Sequence, residues 1–136
     1  MSEERAKYKD LRVLVVEDEE FLRTLTVRLL NDIGVLNVLS AGDGLEALEI
    51  LRAGSESIDL VVCDLDMPRM DGLAFLDATR QAGQPWSSVP TIILTVYRVL
   101  DVMNQALERG AFGYLAKPMS RQDMVEQLNA VLAQRR

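Results

Sequence analysis

The sequence predicts an α/β protein of the doubly wound type, a (βα)5 three-layer sandwich around a five-stranded parallel sheet of strand order 2-1-3-4-5. Three observations carry that expectation. Short, β-branched apolar runs alternate with amphipathic stretches along the whole chain, the pattern of strands and helices in turn. Several runs are continuously apolar rather than alternating, as in strands covered by helices on both faces. The connections are short, so successive strands pair through right-handed crossovers.

The elements follow in order. Strands are read at Leu11–Val16, Val35–Ser40, Ile58–Cys63, Thr91–Thr95 and Phe112–Leu115. The first helix, near Glu19–Ile33, carries Leu22, Leu25, Leu29 and Ile33 on one stripe. The second opens with Asp43 and Glu46 at capping-box-like spacing and presents Leu48 and Leu51 to the core. The third begins after Asp71-Gly72, with Leu73 and Leu76 facing inward. The fourth, about Arg98–Arg109, stops at Gly110, a residue suited to a C-terminal cap. The last starts at Ser120, with Asp123 three residues on, and buries Met124, Leu128, Val131 and Leu132. Gly83–Ser88 is the one longer loop, with Trp86 as its packing anchor. Residues 1–10 read as a short N-terminal extension and residues 11–134 as the single domain.

Composition bounds the function. The 136 residues are 49% hydrophobic and 26% charged, enough for one substantial core. The charged start and the lack of a long apolar run predict no signal peptide and no membrane insertion, hence a cytoplasmic protein. A net charge of −6 argues against direct nucleic-acid binding, which needs Lys and Arg against phosphates. The single cysteine, Cys63, excludes an internal disulfide and reads as core packing on the third strand. The absence of histidine excludes His-ligated zinc, Ser-His-Asp triads and a phosphohistidine within this chain.

In sheets of this order, sites form beyond the carboxyl ends of the strands. The first strand ends in Glu17-Asp18-Glu19-Glu20 and the third, its neighbour, in Asp64-Leu65-Asp66. Like charges about 5 Å apart repel by about 3 kcal/mol at an effective dielectric of 20. Clustered carboxylates therefore call for a cation, and hard oxygen ligands beside a phosphate suit Mg²⁺. Taken alone, the acidic run is equally a solvated helix N-terminus favoured by the macrodipole. The fourth strand, however, ends in Thr95 and the fifth runs into Lys117-Pro118. Acid pair, acid, hydroxyl and amine can respectively bind metal, accept a phosphoryl group, hydrogen-bond its oxygen and pair with its charge.

The segments Val13-Leu14-Val15-Val16-Glu17-Asp18-Glu19, Asp59–Gly72 with its Cys63-Asp64-Leu65-Asp66-Met67-Pro68, and Gly110–Pro118 resemble the motifs of response-regulator receiver domains of two-component signalling. The resemblance runs from about Leu11 to Leu132 and implies a flavodoxin-like fold. It implies Asp64 as phosphoacceptor, with Glu17, Asp18, Asp64 and the backbone carbonyl of Asp66 as protein ligands of Mg²⁺. Thr95 would be the switch hydroxyl, Lys117 the phosphate partner, Tyr114 the aromatic switch, and Lys117-Pro118 a cis peptide. Val96 departs from the smaller residue the family favours. Asp66 and Tyr97 occupy variable positions that influence phosphoryl lifetime.

The resemblance further implies a mechanism and partners. The donor would be a phosphohistidine on a separate histidine kinase or phosphotransfer protein. Phosphorylation would shift the surface of the fourth helix, fifth strand and fifth helix, controlling an unknown downstream protein target. The chain would be a monomer or a phosphorylation-dependent dimer, and not an enzyme beyond its own phosphotransfer and autodephosphorylation. With the sequence ending at the last helix, a protein contact is the expected output, unless the chain is a fragment of something longer. Three other readings share parts of the pattern. Asp64-Leu65-Asp66 matches the Asp-x-Asp of haloacid-dehalogenase-type phosphatases, which place it on an early strand and follow it differently. Gly42-Asp43-Gly44-Leu45-Glu46-Ala47 matches a dinucleotide fingerprint, but with acids where a pyrophosphate would dock. A constitutive binding module would not need all the chemical roles retained here.

Overall fold

A computed structural model describes residues 3–54, 57–81, 84–96 and 100–134. The chain order is α1 (Glu3–Ala6), β1 (Arg12–Val16), α2 (Glu20–Ile33), β2 (Asn37–Ala41), α3 (Gly44–Ala53), β3 (Leu60–Asp64), α4 (Gly72–Thr79), β4 (Thr91–Thr95), α5 (Leu100–Glu108), β5 (Gly113–Ala116) and α6 (Arg121–Gln134). All pairings are parallel and the sheet order is β2-β1-β3-β4-β5, as expected.

Strand alternation sends successive side chains to opposite faces, and each face has its own core. On one side Val13, Val15, Leu60, Val62, Ile92 and Leu94 pack with Leu30 and Ile33 of α2 and Met124, Leu128 and Val131 of α6. On the other, Leu14, Val16, Val61, Cys63 and Ile93 meet Leu48 and Leu51 of α3, Phe75 and Leu76 of α4 and Ala106 of α5. The interior strands β1, β3 and β4 are buried nearly throughout, while edge strand β2 is only partly covered. Trp86 packs against the second core, as an anchor would.

Two expectations are corrected. Ile33 of α2 is buried as expected, but Thr26 and Leu30 complete the buried stripe in place of Leu22, Leu25 and Leu29, of which Leu29 packs against the core half-buried. The helix is turned by about one residue, and Leu25 is 45% exposed. Thr26 tolerates burial because its hydroxyl donates to the Leu22 carbonyl (3.0 Å). Val35 is not in a strand: Gly34, at φ 130°, closes α2, and the Val35 N–H bonds the Leu30 carbonyl (3.0 Å). Leu73 and Leu132 pack half-buried against their cores, and Phe75 joins Leu76 on the inward side of α4. Ahead of β1, Tyr8 of the N-terminal extension and Leu11 of the domain are both buried in the first core. The Tyr8 hydroxyl donates to Asn129 Oδ1 of α6 at 2.6 Å. The expected start of the fourth helix at Arg98, and Tyr97 and Gly83, lie outside the described residues.

Among the described residues, no helix is long and apolar enough to cross a membrane.

Candidate functional site

Glu17, Asp64, Thr95 and Lys117 gather at the carboxyl edge of the sheet because β1, β3, β4 and β5 end in register there. Val16 pairs with Cys63, Asp64 with Leu94, and Thr95 with Ala116. Asp64 is the last residue of β3, one beyond the predicted strand end, so its backbone is held by the ladder. Behind it α4 presses closely on the strand. A Cβ on Gly72 would stand 2.8 Å from the Asp64 carbonyl oxygen and 3.0 Å from Leu65 Cα. Gly72 is therefore required by that close approach. Its N–H donates to the Leu65 carbonyl (2.8 Å), and Asp71 caps α4 by accepting from the Ala74 N–H (2.8 Å).

Carboxylate oxygens of Glu17, Asp18 and Asp64 lie within 4.8 Å of one another. Glu17 and Asp64 are buried and Asp18 is exposed. The cationic counterpart is Lys117, whose Nζ reaches Asp64 Oδ1 at 2.6 Å and Glu17 Oε1 at 2.9 Å. Glu17 Oε2 also accepts from the Glu19 N–H (3.3 Å), and the Glu17 carbonyl accepts from Arg23 Nη1 (2.8 Å). One ammonium thus stands against three carboxylates, a deficit that a small divalent cation at the exposed Asp18 side would fill. The all-oxygen donor set fits Mg²⁺.

The electrostatics agree. Burial pushes the Asp64 carboxyl up to about 6; the Lys117 bond and charge oppose this, and Glu17 and Asp18 add to it. For Lys117, burial disfavours the ammonium, but its bonds to Asp64 and Glu17 raise its pKa overall. Near pH 7, Asp64 is then ionised by about 10:1 and Lys117 is protonated, a nucleophilic oxygen beside a fixed positive charge. Cys63, immediately before Asp64, is fully buried, and burial raises its thiol pKa far from reactivity.

The remaining predicted residues occupy the rim. Thr95 is buried at the end of β4, and its carbonyl accepts from the Lys117 N–H (2.8 Å). Tyr114 is half-buried on β5 against the second core, opposite Ile93 in the ladder. Asp66 is exposed in the β3–α4 loop. The Lys117-Pro118 peptide is cis, as the resemblance implied. Asp43 and Glu46 are occupied with helix capping: Asp43 accepts from the Glu46 N–H (2.9 Å), and Glu46 Oε2 from the Gly42 N–H (3.0 Å). The dinucleotide fingerprint is thereby reduced to a capped helix start. Gly72 and Arg23 are positioning residues that residue type and spacing did not single out.

Comparison with known proteins agrees with this geometry. The family model described as response regulator receiver domain matches residues 13–129. Chemotaxis protein CheY-3 of Vibrio cholerae serotype O1 is 32% identical over 123 residues, spanning 90% of this chain and 92% of that protein. The transcriptional regulatory protein PdtaR of Mycobacterium tuberculosis is 37% identical over 114 residues, 84% of this chain and 53% of that one. Among solved structures, the Vibrio cholerae chemotaxis protein CheY4 superposes with a TM-score of 0.79 at 30% identity, covering 89% of this chain and 98% of that one. A putative response regulator from Chloroflexus aurantiacus gives 0.81 at 27%, covering 92% and 100%. With its 2-1-3-4-5 sheet and its acidic pocket closed by a lysine, this chain belongs to the response regulator receiver domain family.

Proposed function

We propose that the domain is a Mg²⁺-dependent phosphorylation switch whose acceptor is Asp64, charged by a histidine kinase or phosphotransfer protein in the cytoplasm. The observation that carries the reading is the placement of Asp64: buried at a strand end, 2.6 Å from Lys117 Nζ and within 4.8 Å of Glu17 and Asp18. An Asp64 carboxylate oxygen attacks the phosphorus of a phosphohistidine on the donor. The O–P bond forms, the P–N bond breaks, and the imidazole of the donor departs. The chain has no histidine, so the donor must come from outside it.

Phosphoryl transfer depends mainly on positioning and charge. Glu17, Asp18, Asp64 and the Asp66 carbonyl would hold Mg²⁺, which when bound neutralises charge on the transferring group. Lys117 moves its ammonium from Asp64 Oδ1 to a phosphoryl oxygen, remaining oriented by Glu17. Thr95 donates its hydroxyl to another phosphoryl oxygen, and Tyr114 turns inward. The α5-β5-α6 surface then shifts between two existing populations and engages a protein target. The phosphoryl group stays on the chain's own side chain until hydrolysed, so the domain transfers it to no foreign substrate. Residues 11–134 constitute this switch.

Incubation with acetyl phosphate or a phosphorylated kinase plus Mg²⁺ should add one phosphoryl group, and Asp64→Asn should abolish it. Undiminished labelling of that variant at another residue would refute the assignment. Turnover of a free phosphate ester would favour the phosphatase reading instead.

A further inference from the structure

The β3–α4 loop carries Asp66 away from Asp64 and returns at Gly72, closed at its base by the Gly72 N–H to Leu65 carbonyl bond. Its tip is anchored elsewhere. Arg69 adopts φ 65°, a conformation that costs a non-glycine residue energy and persists only when surroundings hold it. Its side chain is tied to Asp43, at the start of α3: Arg69 Nε donates to Asp43 Oδ2 at 3.0 Å, and Nη2 contacts the same oxygen. The Asp43 side chain is only 12% exposed, and its other oxygen accepts from the Glu46 N–H, so the carboxylate is fully committed. Those two partners, Glu46 N–H first, hold its carboxyl below the usual range.

A second contact lies alongside. Met70 covers Gly44 so closely that a Cβ there would meet Met70 Cγ and Sδ at 2.9 Å. The end of β2 is in turn joined to the acidic loop, because the Glu17 N–H bonds the carbonyl of Ala41, the last residue of that strand (3.1 Å). The end of β2 thus meets the loop of Glu17 and Asp18, and the residues just after it, Asp43 and Gly44, meet the loop of Asp66.

We propose that Asp43 and Arg69 form a latch that holds the β3–α4 loop in the shape its Asp66 carbonyl needs, making both of them positioning residues for the metal site. The inference rests on the metal reading given under Proposed function. Because metal and latch bias one loop, their effects are reciprocal: bound Mg²⁺ tightens the latch as much as the latch favours Mg²⁺.

The test uses Asp43→Asn, which keeps an oxygen for the α3 cap but removes the charge. It also uses Arg69→Asn, which tolerates positive φ but cannot reach Asp43, and the double variant. Amide exchange of Met70, whose N–H bonds the Pro68 carbonyl, is followed without metal. Mg²⁺ affinity is measured by titration. Each single variant should speed Met70 exchange and weaken Mg²⁺ by about 3- to 10-fold, the range of a well-formed but partly exposed ion pair. The double variant should be no worse than the worse single one, since both remove one interaction. Unchanged Met70 exchange in both single variants, or additive losses in the double, overturns the latch. A wild-type chain that binds no Mg²⁺ would overturn the metal reading instead, leaving the exchange data to decide whether the loop is latched.

Discussion

Replacing Asp64 by Asn should stabilise the fold while removing the phosphoacceptor. Asp64 titrates near 6 in the folded chain against 3.8 for an ordinary aspartate, about two units, or about 3 kcal/mol. The direction follows from proton linkage. Between the unfolded and folded values the native state binds the proton more tightly, so stability falls as pH rises through that window. The ionised carboxylate should cost about 1 kcal/mol at pH 4.5 and approach about 3 kcal/mol by pH 7.5. The pocket opens to solvent beside the exposed Asp18, and screening there makes about 3 kcal/mol an upper bound. Asn avoids the charge and offers Lys117 a neutral amide oxygen, a weaker acceptor than a carboxylate, which places the net gain near neutrality at about 1–3 kcal/mol. Urea unfolding of both proteins from pH 4.5 to 7.5, without divalent cation, would measure it. The gap should widen with pH, and added Mg²⁺ should narrow it by stabilising wild type more. A gap that stays constant with pH, or a less stable Asp64→Asn, would refute the claim that the pocket strains against its own charge.

Two further predictions concern the rim of the site. Asp18→Ala should weaken Mg²⁺ binding and slow phosphorylation, on the order of 10-fold or more for loss of a carboxylate at a metal site; phosphorylation at the wild-type rate without metal would contradict it. Thr95→Ala should leave Asp64 able to accept a phosphoryl group but reduce the active-to-inactive ratio by about 10- to 100-fold, as one charge-assisted hydrogen bond is lost. NMR shifts over α5, β5 and α6 with and without phosphorylation would check this, and identical responses in both proteins would break the Thr95–Tyr114 coupling.

The sheet and its pocket were legible because they rest on strong signals. Continuous apolar runs fix the strands, and carboxylates, hydroxyl and lysine at their ends follow once the strand order is known. What escaped the reading has local physical causes. The α2 stripe lies about one residue from the one its apolar residues mark, because Thr26 hides its hydroxyl by bonding within the helix and so places a polar residue at a core position. Val35 looked like strand but completes the turn closing α2. The Arg69–Asp43 pair joins residues 26 apart through loops whose geometry no periodicity encodes. Gly72 read as a helix start, and only the packed structure reveals its tight contact with Asp64.

Tyr8 shifts where the folding unit begins. The recognised family motif starts at residue 13, yet Tyr8 is 2% exposed and bonded to a helix more than a hundred residues away. A truncation at the motif boundary would remove that ring and Leu11 and leave a void beneath α6. Loss of a buried aromatic alone costs about 3–5 kcal/mol, a large share of the 5–15 kcal/mol that stabilises a typical domain. Excised or transplanted versions of this switch should therefore keep Tyr8 and Leu11, and lose stability without them. A tag or fusion joint belongs before Tyr8, because one placed between Tyr8 and β1 would pry at the same core that supports α6.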